Sequence, residues 1–142
     1  MFETSKAETI WFDDSSETVI YIGRHHGYER LPEPMTHERT FTFEKSTGVL
    51  LIVDRLAGRG RHELHWHFHF APGVAAAAAD GAVALEARGR RCLLKMPPGL
   101  SLTISPAGYS PSYGVAVPCL AADVRATVDL DGSRTWEFAF VP

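Results

Sequence analysis

His62-Glu63-Leu64-His65-Trp66-His67-Phe68-His69-Phe70-Ala71-Pro72-Gly73 carries four of the chain's seven histidines, and from His65 to Phe70 imidazole and aromatic rings strictly alternate. Alternation with period two is the signature of a strand, whose successive side chains point to opposite faces. Leu64, Trp66, Phe68 and Phe70 are therefore expected to face a core, and His65, His67 and His69 to stand in a row on the other face. A slip of one residue would invert every one of these positions.

Outward from this stretch, short strand-like runs recur between Gly, Pro, Asp and Ser, with no long amphipathic helix. The pattern predicts strands near Glu8–Phe12, Thr18–Arg24, His37–Glu44, Val49–Leu56, Glu63–Phe70, Gly73–Ala79, Ala82–Ala87, Cys92–Lys95, Leu100–Ile104, Leu120–Asp129 and Thr135–Val141. Hairpin turns are expected at Lys45–Gly48, Gly58–Gly60, Asp80-Gly81, Pro97–Gly99 and Asp131–Ser133. Ala75–Ala79 favours helix by propensity alone. The run is too short to hold a helix by itself and lies between a strongly alternating strand and an Asp-Gly turn, so it is read as strand. The fold class is all-β, an antiparallel two-sheet β-sandwich of about ten to eleven strands in a single domain over residues 1–142.

Composition narrows the functional classes. A chain of 142 residues with 45% hydrophobic content can bury a core. Its net charge of −3 gives no broad basic surface for nucleic acid. The longest apolar run, Val74–Ala79, is far short of the ~20 residues of a membrane helix, and Met1–Lys6 lacks the pattern of a signal peptide. Cys92 and Cys119 have no zinc-ribbon spacing and are expected as buried free thiols. Two loops, Gly27–Thr36 and Ala107–Pro118, combine Tyr with Gly and Pro and could present Tyr28, Tyr109 or Tyr113 to a sugar or to another domain.

The His-x-His spacing suits two ligands of a tetrahedral zinc site. His25, His26 and His37 could supply a third, while Ala71-Pro72-Gly73 stands where a cupin-type Glu would be needed. The expectation is no metal and no cofactor, the minority reading being zinc held by His65, His67 and His69 with His37.

Several separated motifs share an order. These are His25-His26-Gly27-Tyr28-Glu29-Arg30-Leu31-Pro32, His37-Glu38-Arg39-Thr40-Phe41, Leu51-Ile52-Val53-Asp54-Arg55-Leu56 with Gly58, Gly60 and His62, then Trp66–Gly73 and Tyr109-Ser110-Pro111-Ser112-Tyr113-Gly114. Together, over residues 20–120, they resemble the C-terminal part of heparinase II/III-like polysaccharide lyases. The resemblance implies a parent in which an α/α toroid precedes an antiparallel sandwich, with acidic polysaccharide cleaved by β-elimination between them. Its catalytic groups would lie on the toroid and in an earlier sandwich segment with a His-x-His-x-Asp-type motif, which also carries the metal ligands where a metal is present. This chain has none of these groups, so the resemblance implies a cleft-completing portion that is inactive alone, with Tyr28, Arg30, His37 and Arg39 on the cleft rim. Its partners would be the toroid of the same polypeptide and, through the parent, acidic polysaccharide. A periplasmic or secreted parent is implied, and a face that normally meets a toroid favours a homodimer in isolation. The competing readings are an autonomous carbohydrate-binding module and a small His-rich metalloprotein.

Overall fold

The computed structural model describes residues 6–142. They form nine antiparallel strands and one short 3-10 turn. The strands are β1 (Ala7–Asp14), β2 (Thr18–His25), β3 (Met35–Glu44), β4 (Leu50–His69), β5 (Ala75–Ala79), β6 (Ala82–Ala87), β7 (Arg90–Lys95), β8 (Ser101–Ser112) and β9 (Val115–Val141). The hydrogen-bonded order is β1-β2-β3-β4-β9-β7-β6-β5, with β8 also paired to β9. Among the described residues no helix is long and apolar enough to cross a membrane.

Two strands build both layers of the sandwich. β4 and β9 pair continuously from Leu50↔Phe140 to His69↔Ala121. Twelve residues of straight strand would span about 40 Å at the usual rise, yet the Trp66 indole N–H donates to Asp54 Oδ2 at 2.8 Å from the same strand. β4 therefore folds back over itself. Its second half packs onto the second half of β9, with Trp66 against Trp136 and Phe138 at ring centroid distances of 5.6 and 5.3 Å.

The bend lies where Gly58 pairs with Gly132 and Gly60 with Leu130. Gly60 and Gly132 take φ of +87° and +102°, a region that favours glycine. A side chain at Gly58 would also meet the Pro34 carbonyl oxygen at 2.5 Å. This corrects the sequence reading at two places. Gly58–Gly60 and Asp131–Ser133 are not hairpins but facing bends inside β4 and β9, so Val49–Leu56 joins Glu63–Phe70 and Leu120–Asp129 joins Thr135–Val141. Among the described residues the strands number nine rather than ten to eleven.

The expected phase of the histidine strand is borne out. Leu64, Trp66 and Phe70 are buried and Phe68 is half-buried against Phe138, while His65, His67 and His69 are exposed. Ile52, Asp54 and Leu56 lie inward on the other half of β4, so the even-numbered side chains keep the core face through the bend. The core also takes Val83, Leu94, Val124 and Phe138 from the flanking strands.

The alanine run is strand β5, joined to β6 by the Asp80-Gly81 turn with both residues at positive φ. Ala107–Pro118 is not a loop: it forms the ends of β8 and β9 around a turn at Tyr113-Gly114. Of Gly27–Thr36, residues 27–34 leave the sheet, beginning with a 3-10 turn over Gly27–Arg30, while Met35 and Thr36 open β3. Both cysteines are free, Cys119 buried and Cys92 half-buried.

Candidate functional site

β1, β2, β3 and the folded β4 enclose an open cleft of about 640 Å³ whose lining includes Arg24, His25, Tyr28, His37, Arg39 and His67. Strand register brings the polar groups together, because His25 pairs with His37 and Arg39 with Asp54. Of the four residues expected on a rim, Tyr28, His37 and Arg39 line this cleft, and Arg30, on the 3-10 turn, does not. Tyr109 and Tyr113 lie away from it on the β8–β9 hairpin.

Asp54 organises the floor. Its side chain is 1% exposed, and both oxygens are fully engaged. Oδ1 accepts from His37 Nε2 at 2.6 Å and Arg39 Nε at 2.7 Å, and Oδ2 accepts from Arg39 Nη2 at 2.7 Å and Trp66 Nε1 at 2.8 Å. Burial pushes this carboxyl up, but the hydrogen bonds from Arg39 and His37 outweigh it and hold the pKa at about 2. Asp54 is thus an anion at any physiological pH, and the Arg39 fork is fixed bidentately beside the cleft.

A chain of imidazoles runs from that carboxylate towards the loop. The Gly27 N–H donates to His25 Nδ1 at 3.3 Å, His25 Nε2 lies 3.0 Å from His37 Nδ1, and His37 Nε2 reaches Asp54. A backbone N–H can only donate, so one set of tautomers satisfies the chain: His25 donates to His37, and His37 to Asp54. Burial, then the charges of His37, His26 and Arg39, lower the pKa of His25. The next residue goes the other way. His26 sits between Glu29 at 2.5 Å and Glu8 at 3.0 Å, whose hydrogen bonds raise its pKa. Tyr28 meets the His25 ring edge-on at 4.8 Å, which ties the loop to the relay.

A second cluster stands on the outer face of the histidine strand. Asp123 on β9 is the register partner of His67, and its Oδ1 accepts from His65 Nε2 at 2.5 Å and from His67 Nδ1. The two ring nitrogens are 3.4 Å apart, and His69 stacks on His67 at 4.3 Å between centroids. The hydrogen bond from His65 lowers the Asp123 pKa, helped by the charge of His67. His37 is not part of this group. Offered with His25 and His26 as a possible further ligand, it has its ring held by Asp54 and His25 instead.

Asp54, Trp66 and Asp123 escaped the sequence reading as site residues, and His25 entered it only as a possible third metal ligand. A signal existed for Asp54, a charged residue in phase with the buried Ile52 and Leu56. Asp123 gave none, because its pairing with His65 joins positions 58 residues apart.

Comparison with known proteins places this architecture. Residues 2–138 match the family described as heparinase II/III-like, C-terminal. Among solved structures the chain is similar to the heparan sulfate lyase HepC from Pedobacter heparinus, with a TM-score of 0.82 and 16% identity over 96% of this chain and 22% of that one. A heparinase III gene product gives 0.78 and 18%, over 99% of this chain and 22% of the other. A further heparinase III gives 0.76 and 10%, over 96% and 21%. At such identities the likeness speaks for the fold alone. No curated protein matches. The chain thus spans about a fifth of the solved structures it resembles. Matched by the family over nearly its whole length, the chain belongs to the heparinase II/III-like C-terminal family.

Proposed function

We propose that this chain is a single sandwich domain that completes the cleft of a polysaccharide lyase acting by β-elimination on uronate-containing acidic polysaccharide, and that it is inactive alone. The observation that carries the reading is one of extent: nearly all of this chain superposes on about a fifth of each of several lyases. The α/α toroid of the same polypeptide is its partner, and the cleft lined by Arg39, His37 and Tyr28 faces the substrate path. β1 supports such docking. It is an edge strand exposed along its whole length, with Trp11 56% and Phe12 61% exposed, and an unpaired apolar edge is a template for further structure. In isolation the same edge favours a two-fold self-contact.

β-Elimination needs a base for the proton beside the carboxylate and a group that neutralises that carboxylate, and loss of either removes orders of magnitude in rate. The described cleft offers cations, but its imidazole relay is committed to the buried Asp54. Incubated with heparin, heparan sulfate, alginate or hyaluronan, the chain alone should produce no ultraviolet absorbance from unsaturated uronate. The polypeptide that includes the preceding reading frame should produce it with at least one of them. Product formed by the chain alone, and lost on Tyr28→Phe or His37→Ala, overturns the reading.

A further inference from the structure

The outer cluster combines three donors that the Asp54 network does not use. Two imidazole nitrogens and a carboxylate oxygen, from His65, His67 and Asp123, lie within 4.8 Å of one another. The histidines alternate along β4 and the carboxylate comes from the neighbouring strand β9, so the register itself sets the convergence. A tetrahedral zinc ion with ligands at about 2.0–2.1 Å needs donors roughly 3.3 Å apart. His65 Nε2 and His67 Nδ1 already stand at 3.4 Å. Asp123 lies closer, at 2.5 Å from His65 Nε2, and would withdraw by roughly 1 Å to admit an ion at that geometry. Side-chain torsion alone can supply this.

We propose that His65, His67 and Asp123 form a binding site for one zinc-class divalent cation, with its fourth position open to solvent. Two imidazoles with one carboxylate suit Zn²⁺, whereas Ca²⁺ and Mg²⁺ demand more oxygen ligands than these residues present. His65 and His67 also line the cleft, so an ion held by them would stand at its wall. His69 stacks on His67 as a lid on the ring and is not a ligand. The ligand set is separate from the earlier segment that the family resemblance associates with metal, and the proposal stands on the β4–β9 geometry whether or not the lyase reading holds.

The test is a titration of the EDTA-treated chain with Zn²⁺ in competition with a chromophoric chelator near neutral pH. One equivalent should bind, and Co²⁺ should fill the same site with the visible absorption of a four-coordinate ion. His65→Ala and Asp123→Asn should each weaken Zn²⁺ binding more than about tenfold, since even loss of an outer-shell partner costs that much. His69→Ala and His37→Ala should leave it unchanged. Zn²⁺ should also raise the denaturation midpoint of the parent chain but not of Asp123→Asn, because only a ligand bound to the folded state stabilises it. Both altered side chains lie on the solvent-facing side of their strands, and circular dichroism checks that the sheet persists. Absence of stoichiometric binding overturns the proposal, leaving the contacts as hydrogen bonds alone. An equivalent that survives Asp123→Asn but disappears with His69→Ala overturns it as well.

Discussion

The two histidine–aspartate clusters use the same residue types to opposite ends. Around Asp54, four hydrogen bonds close on one carboxylate that is almost wholly removed from water. Around Asp123, two exposed imidazoles converge on a carboxylate that is itself only 16% exposed, on the face that the core does not need. In the first, both carboxylate oxygens are fully engaged and the carboxylate is part of the interior, although His37 and Arg39 reach the cleft. In the second, the two imidazoles are exposed, so their donors can be turned towards something else. Burial and completeness, rather than residue identity, separate a structural network from an adaptable one.

The sharpest way to break this contrast is to delete each carboxylate. Asp54→Ala would leave Arg39, His37 and the Trp66 N–H facing an empty acceptor, and breaking a buried pair in this way costs about 3–5 kcal/mol. Urea denaturation should show that loss as a large drop in midpoint, and a fall of less than half this size would place Asp54 among ordinary surface ion pairs.

Acid provides a gentler probe. The folded-state pKa of Asp54 is about 2 against an ordinary 3.8, so its contribution is fully present above about pH 4 and is lost as pH falls towards 2. The shift corresponds to roughly 2 kcal/mol. Stability measured from pH 5 to 2 should therefore fall more steeply for the parent than for Asp54→Asn, and parallel curves would remove the assignment. Asp123→Asn is expected to have the smallest effect. Its urea midpoint at neutral pH without metal should match the parent's, and a loss approaching that of Asp54→Ala would make the two clusters alike.

How much of this was legible in the sequence depended on the range over which each signal acts. The period-two alternation from Leu64 to Phe70 is local, and it gave the inward and outward faces of the histidine strand correctly. Asp80-Gly81 was legible for the same reason, its two residues carrying the turn unaided. Gly58–Gly60 and Asp131–Ser133 have the same turn chemistry, yet each lies beside the other across two long strands. Whether a glycine reverses a chain or only bends it is decided by that distant partner, which no local pattern reveals. The site divides along the same line. Tyr28, His37 and Arg39 were named from ordered motifs and do meet in one cleft, whereas Asp123 becomes a neighbour of the histidines only through the β4–β9 register.

The shared bend has a mechanical consequence. Because β4 and β9 run unbroken from one layer into the other, neither layer owns a complete set of strands. A crack that opens one sheet must pull on ladder bonds that continue into its opposite number. The sandwich thus behaves less like two plates pressed together than like a single folded sheet of cloth, and its layers should melt in one cooperative step.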